Sequence, residues 1–176
     1  NADYRSSLLG NYNGIPSVYA TLLRGVQDTF DGKVLFTRDT HFEDYLETQE
    51  GRNLPVPHCI VGTWGWQIVE DLDPNTLNIG DWFDKWVVLD KPTFGYVNIW
   101  RSGSFVKLIS ENGQENVEVT FCGTCTDICV VSNAMIVKSL YPELVVNVKA
   151  DACAGLTPEK HKAALDVMSS CQINII

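Results

Sequence analysis

Apolar residues along this chain alternate between short continuous runs and stretches with helical spacing. The continuous runs predict strands at 33–37, 86–89, 117–121, 144–148 and 172–176. Helical spacing predicts helices at 15–26, 64–72, 104–110, 127–140 and 158–169. Thr157 is the expected N-cap of the last helix. Strands that alternate with helices and are apolar throughout are typical of a mostly parallel sheet covered on both faces.

Polar residues follow several of these predicted strands. In open parallel sheets the functional site lies beyond the carboxyl ends of the strands. Asp39, Lys91 and the cysteine-rich segment 122–129 all stand at such ends. The polar stretch 41–57 is predicted to be a loop, and its length is typical of functional loops.

One group of polar residues could bind a metal ion. Asp39 and His41 are two residues apart on an extended segment and therefore project to the same side. Glu50 and His58 follow in and after the loop. A carboxylate with two imidazoles suits Zn, Mn or Fe(II). Taken alone, the Asp-x-His pattern also fits a capped turn with a surface histidine.

The second candidate is a cysteine at a junction between a strand and a helix. Cys129 is expected in the first turn of a helix, where unpaired N–H groups and the helix dipole lower a thiol pKa. Lys91 could stabilise the thiolate. A buried helix cysteine and a solvated lysine are the ordinary alternatives. Cys122 and Cys125 also match a C-x-x-C redox pair, although residues 126–127 intervene as the expected helix cap.

Size and composition limit the class of protein. A chain of 176 residues with 45% hydrophobic and 20% charged residues is expected to form one globular domain over 1–176. The net charge of −9 argues against a nucleic-acid partner. No apolar run approaches the roughly 18 residues needed to span a membrane. The six cysteines lie on or beside apolar elements, which favours reduced thiols and a cytoplasmic location.

Four motifs in this order resemble the isochorismatase-like cysteine hydrolases, and the nicotinamidase branch in particular. They are FTRDTH (36–41), LPVPHCIVGTWGW (54–66), DKPTFG (90–95) and CTDICVVSNA (125–134). The resemblance extends from residue 1 to about residue 174. It implies an α/β fold, a three-layer α/β/α sandwich with a six-stranded, mostly parallel sheet.

The resemblance also implies catalytic roles. Cys129 matches the family nucleophile, and Lys91 matches the lysine of its catalytic triad. A cis peptide bond is implied between Thr124 and Cys125, and the N–H groups of Cys125 and Cys129 would form an oxyanion hole.

The same resemblance implies a metal site. Asp39, His41 and His58 match the nicotinamidase metal ligands, and Glu50 is a further candidate. One divalent ion (Zn, Mn or Fe) is the expected cofactor.

The third member of the implied triad is an aspartate at the end of the first strand of the family. The opening Asn1-Ala-Asp3-Tyr4 resembles the tail of that motif, which places the catalytic aspartate two positions before Asn1. The expectation is therefore that the sequence lacks its first strand. The alternative is that Asp3 takes this role.

The expected activity is hydrolysis of a small amide through a thioester, with nicotinamide giving nicotinate and ammonia. Two alternatives remain at this point: a related hydrolase acting on another amide, carbamoyl or ureido compound, and a catalytically silent binding homologue. The expected partners are a small-molecule amide substrate and further copies of the chain in a homo-oligomer.

Overall fold

A computed structural model describes residues 32–68, 86–101 and 103–176. The chain divides into two compact units, residues 1–93 and residues 94–176. The helix predicted at 15–26 and the candidate Asp3 lie outside the described residues. Residues 69–72 of the helix predicted at 64–72 also lie outside them.

The first unit contains two parallel strands. Strand β1 is Val34–Asp39 and strand β2 is Trp86–Lys91. Both were predicted from their apolar runs, and each extends to the polar residue at its carboxyl end. The register pairs Asp39 with Lys91. Because opposed residues of neighbouring strands have side chains on the same face, the register places these two side chains together.

The predicted loop 41–57 is partly helical. It contains a 3-10 turn, Tyr45–Glu47, and a short helix α1, Gln49–Asn53. The side chain of Thr48 caps α1 by accepting a hydrogen bond from the N–H of Gly51. Hydrophobic periodicity could not reveal a helix of five residues. In the helix predicted at 64–72, the described part is a single 3-10 turn, Trp64–Trp66.

The second unit contains a parallel sheet in the order β3-β4-β5. Its strands are β3 (Glu118–Thr124), β4 (Val145–Ala154) and β5 (Asn174–Ile175). The buried side chains of Val146 and Val148 belong to its core. Strand β4 is longer than predicted, because a register shift near Gly123 lets pairing with β3 continue to Ala154.

The helices of the second unit are α2 (Val97–Trp100), α3 (Gly103–Asn112), α4 (Val131–Leu140) and α5 (Pro158–Ser170). The predicted N-cap of α5 is confirmed, since Thr157 Oγ1 accepts a hydrogen bond from the N–H of Lys160 at 3.2 Å. Helix α4 begins later than predicted, because Thr126–Val130 forms a π-helical turn. We call this segment the cysteine turn. Helix α2, with only four residues, was not predicted.

The structure confirms the α/β class with parallel strand pairing. The described residues form five strands. The count of six concerns the whole chain and stays a prediction, as does the single domain over 1–176. Within the described ranges no helix has both the length and the apolar character needed to cross a bilayer.

Candidate functional site

Four side chains converge beyond the end of β1. The ligand atoms of Asp39, His41, Glu50 and His58 all lie within 4.8 Å of one another. These are the four residues that the sequence proposed as metal ligands, and we call them the ligand cluster. Asp39 ends β1, His41 follows it, Glu50 is on α1, and His58 is joined to this segment by backbone pairing between His41 and Ile60.

The spacing within the ligand cluster fits a single metal ion. His41 Nε2 lies 3.3 Å from Asp39 Oδ2 and 3.4 Å from Glu50 Oε1. His58 Nε2 lies 3.7 Å and 3.8 Å from the same two oxygens. Ligands about 2.1 Å from a tetrahedral zinc ion are about 3.4 Å apart. Two imidazoles and two carboxylates would also neutralise a divalent charge.

Two buried atoms of the ligand cluster support the same conclusion. His41 Nε2 and Glu50 Oε1 make no hydrogen bond within the part of the chain that the structure describes. Buried polar atoms normally have a partner, so each such atom needs an explanation. A cation between them would supply that partner. The residues present therefore fit a divalent metal ion.

Contacts around the ligand cluster orient its imidazoles. His58 Nδ1–H donates to the carbonyl of Val56 at 2.8 Å, which leaves a lone pair on Nε2. The ring of Tyr45, only 1% exposed, packs against His41 and His58 with centroid distances of 4.7 and 4.9 Å. Burial, reinforced by the negative charges of Glu50 and Asp39, raises the pKa of Tyr45 to about 12. Tyr45 is therefore a neutral wall of the site.

Lys91 binds the other oxygen of Asp39. Its Nζ donates to Asp39 Oδ1 at 2.9 Å, whereas Asp39 Oδ2 faces the histidines. Lys91 is 2% exposed, so the solvated lysine considered from the sequence is wrong. A buried ammonium must be paired, and Asp39 supplies the charge. The candidate lysine and the candidate metal site thus share one carboxylate.

A second set of contacts holds Thr40, the residue between Asp39 and His41. Trp66 Nε1 donates to Thr40 Oγ1 at 3.0 Å. The guanidinium of Arg38 lies 3.5 Å from the centroid of the Trp66 ring and pairs with Asp90 at 2.7 Å. A stacked and paired guanidinium has little freedom to move. These contacts fix the end of β1 from which Asp39 and His41 project.

The cysteine turn connects β3 to α4 and contains Cys129. The peptide bond between Thr124 and Cys125 is cis, as the resemblance implied. The carbonyl of Cys125 accepts hydrogen bonds from the N–H groups of Ile128 and Val130, both at 3.1 Å. Cys129 therefore lies in a closed loop of backbone between a strand end and a helix start.

Asn133 holds the helical end of this turn. Its Nδ2 donates to the carbonyls of Cys129 at 2.8 Å and Phe94 at 2.9 Å. Its Oδ1 accepts from Trp100 Nε1 at 3.0 Å and from the N–H of Tyr96 at 3.2 Å. Asn133 was not selected from the sequence. Its position four residues after Cys129 in a predicted helix is a signal that could have found it.

The helix cap expected from residues 126–127 is wrong. The turn is capped by Cys125 without a side-chain hydrogen bond. Thr126 Oγ1 instead contacts His161 Nδ1 at 2.8 Å, and Asp127 Oδ1 accepts from the N–H of Leu156 at 2.9 Å. Both side chains therefore reach the β4–α5 junction. His161 was not selected from the sequence.

The surroundings of Cys122 argue against the redox alternative for Cys122 and Cys125. Burial raises the pKa of the Cys122 thiol to about 11, although Lys149 opposes this shift. A redox-active thiol in a C-x-x-C pair has the opposite shift. Burial likewise raises the pKa of Cys153 on the adjacent strand to about 12.

The structure thus brings together the four predicted metal ligands with Lys91, within the first unit, and places Cys125 and Cys129 on one turn of the second. In open parallel α/β sheets, ligands bind beyond the carboxyl ends of the strands, where these residues stand. The family model of the isochorismatase domain matches residues 10–176. The chain belongs to the isochorismatase domain family, and the predicted class of isochorismatase-like hydrolase is confirmed.

Solved structures with the same fold include a nicotinamidase and a pyrazinamidase. The chain is 22% identical to a nicotinamidase from Bacillus subtilis, with a TM-score of 0.70 and coverage of 93% of this chain and 84% of that chain. It is 25% identical to a pyrazinamidase from Pyrococcus horikoshii in complex with zinc, with a TM-score of 0.63 and coverage of 92% and 83%.

An amidase with another type of substrate has a similar structure. The chain is 20% identical to an N-carbamoylsarcosine amidase from Thermoplasma acidophilum, with a TM-score of 0.62 and coverage of 89% of this chain and 80% of that chain. No curated protein matches the sequence.

Proposed function

We propose that this chain is a metal-dependent amide hydrolase of the nicotinamidase type, which converts nicotinamide to nicotinate and ammonia. The main support is the ligand cluster: four side chains with the donor set and spacing for one divalent ion, attached through Asp39 to a buried lysine. The family model extends from 10 to 176 and so includes both compact units, which supports the single-domain proposal.

The proposed chemistry uses Cys129 as the nucleophile. Its thiolate attacks the amide carbonyl, and the N–H groups of Cys125 and Cys129 stabilise the oxyanion. The carboxylate that is the third member of the implied triad accepts the thiol proton and returns it to the departing nitrogen, so that ammonia leaves; water then hydrolyses the thioester and restores the thiol. Lys91 supplies the positive charge that favours the thiolate. These roles extend the resemblance of the motifs at 90–95 and 125–134 to the chemistry of this chain.

Asp39, His41, Glu50 and His58 are proposed to hold the metal ion. When bound, such an ion supplies a Lewis-acidic position for the ring nitrogen of nicotinamide and orients the ring. Zinc is favoured by the two imidazoles of the donor set. The proposal also includes assembly as a homo-oligomer and a cytoplasmic location. The molecule that binds at the site is the small amide substrate.

An ammonia-release assay tests this function. Purified protein is analysed for bound metal and then incubated with nicotinamide, pyrazinamide and a ureido compound. The proposal predicts ammonia from the two pyridine- or pyrazine-type amides, and no turnover by Cys129→Ala. Cys171→Ala, which changes a thiol at the end of α5, is the matched control and should retain activity.

The N-carbamoylsarcosine amidase among the similar structures favours a second candidate, hydrolysis of a carbamoyl or ureido compound. Turnover of the ureido compound alone, by protein without bound metal, would establish this second function. Turnover of any amide by Cys129→Ala would contradict both.

A further inference from the structure

The cysteine turn is held against the β4–α5 junction by two side-chain contacts and a close approach of Gly155. Thr126 Oγ1 lies 2.8 Å from His161 Nδ1, and Asp127 Oδ1 accepts from the N–H of Leu156 at 2.9 Å. Between them, a Cβ at Gly155 would lie 2.8 Å from Asp127 Oδ1 and 2.9 Å from the Cα of His161. The junction therefore approaches the turn as closely as a glycine allows.

The Thr126 hydroxyl depends on His161. Thr126 is 0% exposed, so its hydroxyl must find a partner inside the protein. The hydroxyl can donate to a neutral imidazole at Nδ1 or accept from an Nδ1–H, and both arrangements satisfy it. His161 lies in the first turn of α5, and the N-cap Thr157 fixes the start of that helix.

The position of Thr126 connects this contact to the reactive thiol. Thr126 is the first residue of the turn that also contains Cys129, and it directly follows Cys125. In the described contacts, Asn133 holds the other end of the same turn through the carbonyl of Cys129. The turn is thus anchored by a side chain at each end, His161 and Asn133.

We infer that His161 is a positioning residue for Cys129. Through the Thr126 hydroxyl it holds the cysteine turn in the conformation that activates the thiol. This inference rests on the proposed function, in which Cys129 is the nucleophile. His161 acts at a distance, so its loss should lower the reactivity of Cys129 and kcat while KM changes little.

Alkylation of the individual thiols by iodoacetamide at neutral pH, followed by peptide mass spectrometry, tests the inference without any substrate. We expect His161→Leu to slow alkylation of Cys129 about tenfold, since small misplacements of a reacting group have effects of this size or larger. His161→Asn, which can place a polar atom near the Nδ1 position, should keep the rate within about threefold of the original. Thr126→Val should resemble His161→Leu, and Thr126→Ser should resemble the parent.

Thr157→Ala is the matched control. It removes the cap of the same helix, and so weakens α5, without touching the cysteine turn. If Thr157→Ala slows Cys129 as much as His161→Leu does, the effect is one of helix stability and the inference is wrong. Equal rates for His161→Leu and the parent, or equal loss in His161→Asn and His161→Leu, would also overturn it.

The same experiment separates the two proposals. Cys129 that reacts no faster than Cys171 in the parent protein would contradict the proposed nucleophile. If Cys129 is alkylated fast and its rate is the same in the His161 and Thr126 variants, only the positioning role is contradicted. If His161→Leu does not fold, the Thr126→Val and Thr126→Ser pair decides the question.

Discussion

The ligand cluster and the cysteine turn are built in different ways. In the ligand cluster, four side chains from three segments of the chain converge, and their atoms alone define the site. In the cysteine turn, the π-helical backbone defines the arrangement. Side chains such as Asn133 and His161 support that backbone from outside. A site made of side chains should fail when one ligand is lost, whereas a site made of backbone should depend on its anchors.

The largest expected effect is the loss of zinc affinity in His41→Ala. Loss of residues that merely orient a ligand already reduces metal affinity 10- to 100-fold, so loss of a direct ligand should reduce zinc affinity by at least about 100-fold. Glu50→Gln should also weaken zinc binding, and Glu47→Gln, an exposed acid on the neighbouring turn, should not. Calorimetric titration with zinc measures all three. Unchanged affinity in His41→Ala would exclude the ligand cluster as the metal site.

Lys91→Met should destabilise the fold as well as the reaction. Removing one partner of a buried ion pair leaves Asp39 uncompensated, at a cost of about 3 kcal/mol in the free energy of unfolding. Bound zinc should reduce this cost, since the ion would compensate the same carboxylate. Urea unfolding with and without zinc measures the difference. Lys107→Met, which changes an exposed lysine of α3, is the control and should have little effect.

Gly51→Ala tests how tightly α1 is held beneath the ligand cluster. A Cβ at this position would lie 2.0 Å from the carbonyl oxygen of Tyr45, so the helix must move. We expect a loss of about 2 kcal/mol in stability and weaker zinc binding, because Glu50 would move with the helix. Gln49→Ala, on the exposed side of α1, should leave both unchanged. Parent-like zinc affinity in Gly51→Ala would show that α1 does not position Glu50.

The smallest expected effect is the alkylation of the two thiols with raised pKa values, Cys122 and Cys153. Cys122 and Cys153 have pKa values raised to about 11 and 12, so both remain protonated at pH 7.5. Protonated thiols react slowly with iodoacetamide, and we expect neither to be modified while Cys129 reacts. Their reactivity should rise only as the pH approaches these values. Rapid modification of Cys122 at pH 7.5 would revive the redox alternative.

The ligand cluster could be predicted from the sequence because its residue types and their spacing are those of metal ligands. Asp39 and His41 at period-two spacing after an apolar strand already indicate adjacent ligands, and the strand ends indicate their location. The pairing of Asp39 with Lys91 could not be deduced, because it depends on the register of β1 with β2. That register is set by packing along the whole strands.

The conformation of the cysteine turn was harder to predict from the sequence. Helical periodicity made 127–140 one helix, because a π-helical turn shifts the apolar positions by only one residue. Thr126 and Asp127 resembled a helix cap, which they would be in a regular α-helix. Their partners in the β4–α5 junction are about 30 residues away in the chain, and no local pattern predicts such contacts.

Trapping the acyl group on Cys129 is the most direct test of whether Cys129 is the nucleophile. Metal-loaded protein is mixed with nicotinamide, quenched in acid within the first turnovers, digested and analysed by mass spectrometry. We expect a nicotinoyl thioester on the peptide that contains Cys129, and none in Cys129→Ala. Ammonia release without this adduct, or with the adduct on another cysteine, would contradict it.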